Sequence, residues 1–548
     1  KKDLMIHSHA GDIGDIYILA GGKTGRDGIH GVTFASRDLD AGSDDDIGAV
    51  QLGDPITKEP LMHLCLELNE LGLLTGMKDL GGGGLSCVVG ELALDAGFGA
   101  NVNLEKVHLK QKNMAPWEIW VSESQERMMF TVKPEDVQTV LDRCDAWDVE
   151  AVAIGEVIKE KRNIVRFKGI EILNLDLEFT TGGPVYNRPY NLPEIDNLEA
   201  VELPDLPANL SQTIKDIISN PEVSSKDWVI RQYDHEVRGA TAIKPIQGKI
   251  GKEVHGDSSV LKPVENSWKG LALTADVNPY LMEANPYHGT MSAVEEICRN
   301  LASVGARIDS LADCLCFGNP QRPDIMGQFK SSCDALRDAA TSVDVPYVSG
   351  NVSLYNETAD GAIPPTPVLM GIGLVNDIRK CVTSDLKEEG SIWLVGENKE
   401  QMGASLYYRT MGIECPNVPT TDFESFIPRM EQLIDAIECG EVVACHDIST
   451  GGIALSVIEM CMSGVGAKIN LSRDMRTDLE LFNESNGRWI VQVKPGLEEK
   501  FSKRFDYAKE IGTVNENINF ALNDNEKLEF SIEELRKLWT EPLWNRLA

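Results

Sequence analysis

Asp79 is followed, after Leu80, by four consecutive glycines, and this arrangement could bind phosphate together with a metal ion. Glycines let a backbone approach a ligand closely, and the N-terminus of the helix predicted to follow them favours an anion. A carboxylate at that place suits Mg²⁺, which prefers oxygen ligands. The alternative is a tight turn that packs a strand against a helix and binds nothing.

A run of polar residues, 122–127 (SESQER), stands between apolar segments. Polar groups that enter a strand lower stability unless they are hydrogen-bonded, so the run favours a binding site over a solvated loop. Gln51 is a further candidate. Asp54 and Pro55 are explained as the N-cap and first residue of a helix, which leaves the amide of Gln51 without a structural role.

Two segments farther along, residues 311–320 and 348–357, are rich in short side chains with oxygen atoms. We predict that Asp313 follows one strand and that Asn351 and Ser353 follow another, because α/β sites gather at strand ends. Asp and Asn are also common in turns for backbone reasons, so neither segment is decisive by itself.

A glycine-rich loop, residues 21–28, contains Lys23 and Arg26. It is not a phosphate-binding P-loop, since Tyr17 occupies the position where that motif needs glycine. The loop amides and the two cations could close over an anion. An ordinary surface turn accounts for the loop equally well.

The chain repeats its own pattern. Asp79, Gly84 and Glu91 are matched, at one common offset, by Asp447, Gly452 and Glu459. Farther along, Glu123, Ser124 and Arg127 are matched by Glu484, Ser485 and Arg488. Matches kept in order indicate two copies of one domain with a different domain between them. Gln125 becomes Asn486 and Glu126 becomes Gly487, which predicts a working site in the first copy and a degenerate one in the second.

Hydrophobic periodicity and turn residues predict an α+β fold. Three domains are expected, at 1–200, 201–380 and 381–548, with a linker rich in Pro and Asn at 186–208. The predicted strands are 16–20, 128–132, 152–157, 271–275, 368–374 and 392–395. The predicted helices are 55–73, 85–96, 134–147, 290–304 and 324–343.

Composition excludes several classes of protein. A net charge of −34 over 548 residues argues against a nucleic-acid surface, which needs clustered Lys and Arg. Neither a signal peptide nor an apolar run long enough to span a membrane is found. The twelve cysteines are scattered without a CxxC pair, which predicts reduced thiols in a cytoplasmic protein. The start at Lys1, shortly before a predicted strand, leads us to expect a preceding segment.

Seven motifs in order along the chain resemble one family, the synthetase subunit of phosphoribosylformylglycinamidine synthase. They are GKTGRDGIHG (22–31), QLGDP (51–55), SESQER (122–127), TGGPV (181–185), QYDH (232–235), DCLCFGNP (313–320) and VSGNVSLYNET (348–358). The resemblance implies tandem A- and B-type domains of the aminoimidazole ribonucleotide synthetase-like superfamily, with the B-type domain duplicated. It also implies ATP-dependent conversion of formylglycinamide ribonucleotide to its amidine, with ammonia from a glutaminase subunit and with a small accessory subunit.

The resemblance also implies roles for individual residues. The ribonucleotide would contact Gln51, Ser353 and the run Glu123, Ser124 and Gln125. ATP would contact Asp313 and Gly350, and Mg²⁺ would bind Asp79 and Asn351. Gly350 is supported by the resemblance alone.

The family's first A-type domain, with its catalytic histidines, would precede Lys1, so no catalytic residue is assigned in this chain. His235 and His446 are the nearest substitutes.

Two alternatives remain. One is a sibling ATP-dependent synthetase or kinase of the same superfamily. The other is a non-catalytic fragment that binds nucleotide and partner subunits, which the mass of the intact protein would separate from the synthetase.

Overall fold

The computed structural model describes residues 4–29, 31, 50–183, 185–233, 235–471, 475–522 and 527–547. The chain forms two compact units, Lys1–Asn187 and Arg188–Ala548. Within the described ranges, no helix combines the length and apolar character needed to cross a bilayer.

The first unit contains the first copy of the repeated domain, a seven-stranded sheet with helices on both faces. Its strands are β1 (Ile16–Gly21), β2 (Gly76–Asp79), β3 (Gly99–Asn103), β4 (Arg127–Val132), β5 (Ala151–Ile158), β6 (Arg162–Phe167) and β7 (Ile170–Asp176). Its helices are α1 (Pro55–Glu70), α2 (Leu85–Ala96), α3 (Pro116–Val121), α4 (Val137–Ala146) and α5 (Leu177–Thr181), with 3₁₀ turns at Leu104–Lys106 and Pro134–Asp136. The strand order is β2-β4-β1-β5-β3-β6-β7.

Alternation along β1 explains the two layers of helices, since successive side chains of a strand point to opposite faces. Tyr17 and Leu19 pack with α2, whereas Ile18 and Ala20 pack with α1 and α4. Helix α1 begins as predicted, with Asp54 as its N-cap and Pro55 in the first turn. It ends at Glu70, three residues before the predicted end, because Gly72 adopts a left-handed conformation with φ 67°.

The second unit begins with α6 (Leu210–Ile218) and α7 (Asp227–Ile230), after a stretch at 185–208 that contains neither helix nor strand. Helix α6 packs into the core of the second copy. The predicted domain boundaries near residues 200 and 380 remain predictions.

The middle region has a six-stranded sheet of order β14-β13-β17-β12-β11-β8. The strands of this sheet are β8 (Thr241–Ile243), β11 (Ser259–Leu261), β12 (Gly270–Asp276), β13 (Arg307–Cys316), β14 (Tyr347–Ser353) and β17 (Thr366–Val375). Two separate two-stranded sheets are formed by β9 (Ile246–Lys249) with β10 (Lys252–His255) and by β15 (Glu357–Thr358) with β16 (Gly361–Ala362). Its helices are α8 (Pro279–Ala284), α9 (Pro286–Ser303) and α10 (Pro323–Val343), with 3₁₀ turns at Val237–Gly239 and Ile378–Lys380.

The second copy has the strand order β19-β21-β18-β22-β20-β23-β24, which matches the first copy position by position. Its strands are β18 (Ser391–Val395), β19 (Val442–Asp447), β20 (Gly466–Asn470), β21 (Trp489–Val493), β22 (Ala508–Asn515), β23 (Ile518–Ala521) and β24 (Lys527–Phe530). Its helices are α11 (Leu406–Thr410), α12 (Phe423–Glu438), α13 (Gly452–Cys461), α14 (Thr477–Phe482), α15 (Glu498–Ser502) and α16 (Ile532–Leu547).

The two copies agree even in irregularities. The pairing of β1 with β5 shifts register between Tyr17 and Ile18, and that of β18 with β22 shifts between Ile392 and Trp393. Helices α1 and α12 each carry an internal proline, at Pro60 and Pro428. The predicted duplication and the α+β fold are therefore confirmed.

Candidate functional site

Arg127 organises the polar run of the first copy. Only 2% of this residue is exposed. Its guanidinium donates to the carbonyl oxygens of Ser124 and Ser122, both at 2.7 Å, and to Oγ1 of Thr24 at 2.9 Å. Burial lowers the pKa of Arg127 to about 10, against the attraction of Asp27. The run is thus a hydrogen-bonded scaffold and not a solvated loop.

The predicted substrate residues of the first copy lie together on this scaffold. Glu123, 3% exposed, accepts hydrogen bonds from the backbone N–H of Gly83 at 2.9 Å and from Nε2 of Gln51 at 2.8 Å. Nε2 of Gln125 donates to the carbonyl oxygen of Glu123 at 2.8 Å. Ser124 accepts through Oγ from the N–H of Gly25 at 2.9 Å. Glu123 therefore ties the glycine run, the loop before α1 and the polar run into one site.

Asp79 lies at the same edge of the sheet as the polar run. It is the last residue of β2 and pairs with Met128, and the next N–H, of Leu80, donates to the carbonyl oxygen of Arg127 at 3.2 Å. The residue is exposed, and among the described residues no side chain forms a hydrogen bond or ion pair with its carboxylate. An exposed carboxylate beside glycine backbone fits a hard cation such as Mg²⁺.

The glycine run needs glycine at Gly84, where helix α2 begins. Its φ is 54°, and a Cβ there would stand 1.9 Å from the carbonyl oxygen of Ser122. The close approach of the helix N-terminus to the polar run therefore depends on this residue.

The cations of the glycine-rich loop are already paired. Nζ of Lys23 lies 2.9 Å from Glu150, and Arg26 binds both carboxylate oxygens of Glu118, at 2.6 and 3.0 Å. Of the two interpretations of this loop, the ordinary surface turn fits these pairs better than closure over an anion. The loop continues into residues 30 and 32–49, which lie outside the described residues. A cavity of about 490 Å³ lies between this loop and Gln125.

In the middle region, strands β13 and β14 pair in parallel and bring the predicted ATP residues side by side. Asp313 lies opposite Gly350, and Cys316 opposite Ser353. A Cβ on Gly350 would lie 2.9 Å from Oδ1 of Asp313, so glycine leaves room for the carboxylate. Burial raises the pKa of Asp313, and a hydrogen bond from the backbone of Asn351 opposes the rise.

Two predictions about this segment are wrong. Asp313, Asn351 and Ser353 lie within strands and do not follow them, because parallel pairing carries β13 to Cys316 and β14 to Ser353. Strand β14 is an edge strand, where polar side chains are tolerated.

Side chains alternate between the two faces of a strand, so Asp313 and Gly350 lie on one face of the sheet and Asn351 and Ser353 on the other. Nδ2 of Asn351 donates to Sγ of Cys314 at 3.5 Å, and Ser353 lies on the same face. Asp313 and Gly350 share the other face, where Leu311 and Leu315 are buried.

The second copy has the same hydrogen-bonded scaffold as the first copy, but some of the side chains on it differ. Arg488 donates to the carbonyl oxygens of Ser485 at 2.8 Å and Asn483 at 2.7 Å, and Glu484 accepts from the N–H of Gly451 at 2.8 Å. Burial raises the pKa of Glu484 to about 7, and its backbone donors oppose the rise.

The amide of Asn486, the counterpart of Gln125, is engaged within the second unit. It donates to Ser292 at 2.8 Å and Thr421 at 2.9 Å. Pro419 occupies the position that corresponds to Gln51.

The role of Arg127 as the hydrogen-bond donor that holds the polar run was not predicted from the sequence. Its position was nevertheless visible, because Arg127 and Arg488 correspond in the repeat. The histidines proposed as substitutes lie elsewhere in the second unit. His446 is held between Asp257 at 2.6 Å and Glu459 at 3.2 Å, and His235 lies 3.9 Å from Glu236.

One family model matches both copies of the repeated domain, and a second family model matches the middle region. The model described as AIR synthase related protein, C-terminal domain, matches residues 12–168 and again 387–524. The corresponding N-terminal domain model matches residues 255–375.

Similar proteins carry one description, phosphoribosylformylglycinamidine synthase subunit PurL. The protein of Thermoplasma volcanium is 37% identical over 99% of this chain and 72% of its own length. That of Thermoplasma acidophilum is 38% identical over 91% of this chain and 66% of its own length. The chain thus spans about two thirds to three quarters of these relatives.

Solved structures give the same picture. Thermotoga maritima PurL complexed with FGAR superposes with a TM-score of 0.68 and 25% identity, over 94% of this chain and 73% of that one. A structure of PurLQS from Thermotoga maritima gives a TM-score of 0.68 at 24% identity, over the same shares of the two chains.

Proposed function

This chain belongs to the family of PurL subunits of phosphoribosylformylglycinamidine synthase, and we propose that it converts formylglycinamide ribonucleotide to formylglycinamidine ribonucleotide with ATP, in purine biosynthesis. The observation that supports this best is the site in the first copy, where Gln51, Glu123 and Gln125 converge beside the exposed Asp79. A relative's complex with FGAR supports the substrate class.

The reaction needs an activated amide, because an amide carbonyl carbon is a poor electrophile. ATP transfers its γ-phosphoryl group to the amide oxygen and leaves ADP. Ammonia then attacks the same carbon, the C–O bond to phosphate breaks, and loss of a proton gives the amidine and inorganic phosphate. Asp79 would hold one Mg²⁺ ion and Asn351 a second one, and such ions would neutralise charge on the transferred phosphoryl group.

The residues of the chain position the substrate. Glu123 accepts one hydrogen bond on each carboxylate oxygen, from Gly83 and from Gln51. It therefore orients Gln51, and its remaining lone pairs would accept from the ribonucleotide. With its Nε2 donating to Glu123, Gln51 presents its amide oxygen to a substrate N–H or O–H group. Gln125 is oriented in the same way by the carbonyl oxygen of Glu123. Ser124 would contact the ribonucleotide from the same scaffold.

The expected partners are a glutaminase subunit and a small accessory subunit. Ammonia is mostly protonated near pH 7, so delivery from a glutaminase avoids the loss of its nucleophilic form. The assembly of PurLQS in Thermotoga maritima supports this proposal. Twelve free cysteines fit a reducing compartment, the cytoplasm.

Replacing Gln51 by leucine is expected to weaken binding of the ribonucleotide about fivefold, since one neutral hydrogen bond contributes about 1 kcal/mol. Isothermal titration of the intact synthase with the ribonucleotide measures this. Gln138→Leu, on the exposed side of α4, is the matched control. An unchanged affinity for Gln51→Leu would remove this residue from the site and weaken the proposed function.

Replacing Gly350 by alanine is expected to weaken ATP binding about tenfold, because the new Cβ would lie 2.9 Å from Oδ1 of Asp313 and displace the carboxylate. Equilibrium dialysis with labelled ATP measures the effect. Ser349→Ala, the adjacent exposed residue of β14, adds no atoms and should bind ATP normally. Equal affinities for the two variants would contradict the ATP site.

A further inference from the structure

Two cysteines lie side by side on strand β13, next to the expected ATP residues of the middle region. Cys314 and Cys316 are two positions apart in the strand, so both side chains project from the same face. Their sulfur atoms lie 3.8 Å apart, and both thiols are free. Both residues are half-buried, which leaves them within reach of an ion from solvent. The reaction proposed above makes no use of this pair.

The distance between the two sulfur atoms suits a tetrahedral metal ion. Two Zn–S bonds of about 2.3 Å at the tetrahedral angle separate their sulfurs by about 3.8 Å. The sulfurs of Cys314 and Cys316 already have this separation, so a metal ion can bind with little movement of either side chain. Thiolate sulfur is a soft ligand, which favours ions such as Zn²⁺ and Cd²⁺ over Mg²⁺.

Asn351 supplies a third polar group at the same place. It lies opposite Cys314 in the parallel pairing of β13 with β14, and its Nδ2 donates to Sγ of Cys314 at 3.5 Å. A half-turn of the amide exchanges its nitrogen and its oxygen, which would bring the oxygen toward the two sulfurs. Water can occupy the remaining position, as it does at zinc sites that keep one position open.

The neighbouring strands place only neutral side chains opposite the two cysteines. On β17, Val368 lies opposite Cys314 and Thr366 lies opposite Cys316. On β14, Ser353 lies opposite Cys316. None of these neighbours repels a cation, and the net charge of −34 on the whole chain attracts one.

We propose that Cys314 and Cys316 bind one thiophilic divalent cation, such as Zn²⁺, and that the bound ion excludes Mg²⁺ from Asn351. Each thiol releases its proton to solvent as its sulfur bonds to the metal, so one ion replaces two protons. The cation site stands on the geometry of β13 and β14 alone. The exclusion of Mg²⁺ rests on the proposed function, in which Asn351 holds an Mg²⁺ ion. A thiophilic cation therefore inhibits the ATP-dependent reaction.

The first experiment titrates the reduced 548-residue chain with Cd²⁺, as a probe for Zn²⁺, and follows the ultraviolet absorption of cadmium–thiolate bonds. The absorption of the wild type should exceed that of Cys314→Ser/Cys316→Ser by two such bonds. Each single serine variant should bind the ion about 100-fold more weakly, since even changes around a metal's ligands cost about 10–100-fold. Cys439→Ser, at an exposed cysteine, is the control and should titrate as the wild type. Equal titrations of the wild type and the double variant would overturn the site, and alanine variants decide if the serine variants do not fold.

The second experiment measures Zn²⁺ inhibition of amidine formation by the intact synthase, with ammonium as the nitrogen donor so that no glutaminase step is involved. Added Mg²⁺ should relieve the inhibition. Cys316→Ser should need about tenfold more Zn²⁺ for half-inhibition, each rate being taken relative to that of the same protein without Zn²⁺. Equal half-inhibiting concentrations, or inhibition that Mg²⁺ does not relieve, would overturn the exclusion of Mg²⁺. A synthase that forms no amidine even without Zn²⁺ would contradict the proposed function, whereas the cadmium titration of the chain would still decide the metal site.

Discussion

Replacing Asp79 by asparagine is expected to lower ATP-dependent amidine formation by the intact synthase about 100-fold or more, with the fold retained. Asparagine has the same size but no charge, and a hard cation binds a carboxylate much better than an amide. Asp79 is exposed at the end of β2, so the substitution leaves no buried group without a partner.

The measurement is initial rate against Mg²⁺ concentration. A lost metal ligand should shift the concentration for half-maximal rate upward, whereas a residue of a packing turn would leave it unchanged. Asp95→Asn, an exposed carboxylate of α2, should behave as the wild type in both rate and Mg²⁺ dependence. Wild-type activity of Asp79→Asn at limiting Mg²⁺ would return Asp79 to the packing-turn interpretation.

Replacing Arg127 by methionine is expected to destabilise the first copy by about 3–4 kcal/mol and to abolish binding of the ribonucleotide. Two buried carbonyl oxygens and the hydroxyl of Thr24 would lose their donor, and each buried acceptor left unpaired costs about 1–3 kcal/mol. Without the guanidinium, residues 122–127 lose the contacts that give the run its shape.

Hydrogen exchange of the peptide spanning residues 120–128 measures the local loss, and titration with the ribonucleotide measures the functional one. Arg488→Met should destabilise the second copy equally, because Arg488 also donates to two buried carbonyl oxygens. It should bind the ribonucleotide normally, because the proposed substrate site lies in the first copy. Arg143→Met, a half-exposed arginine paired with Glu67, should change stability by less than about 0.5 kcal/mol. Ribonucleotide binding lost in Arg488→Met and kept in Arg127→Met would exchange the roles of the two copies.

Much of the fold could be predicted from local patterns. Helix α2 begins and ends at the predicted residues, Leu85 and Ala96, because Gly84 and Gly97 both adopt positive φ at its two ends. The repeat predicted two sheets of one kind, and the sheets have the same strand order. Such features depend on neighbours in sequence, which the sequence displays directly.

The placement of the middle-region residues could not be predicted in the same way. Whether β13 stops before Asp313 or continues through it depends on pairing with β14, more than thirty residues away. The separation of Asp313 from Asn351 onto opposite faces follows only once that register is known. The pairing of Lys23 with Glu150 and of Arg26 with Glu118 likewise joins residues that are remote in sequence, so the partners of these two cations could not be predicted from the loop itself.

Among the described residues, the guanidinium of Arg127 hydrogen-bonds only to neutral oxygens, although Asp27 attracts it without a hydrogen bond. This has a consequence for how the site responds to its solvent. Ion pairs at a surface weaken as salt is added, because mobile ions screen the attraction between opposite charges. Buried hydrogen bonds to carbonyl and hydroxyl groups contain no such pair to screen. The shape of the first-copy site should therefore persist across a wide range of ionic strength, while affinity for phosphorylated ligands falls with added salt.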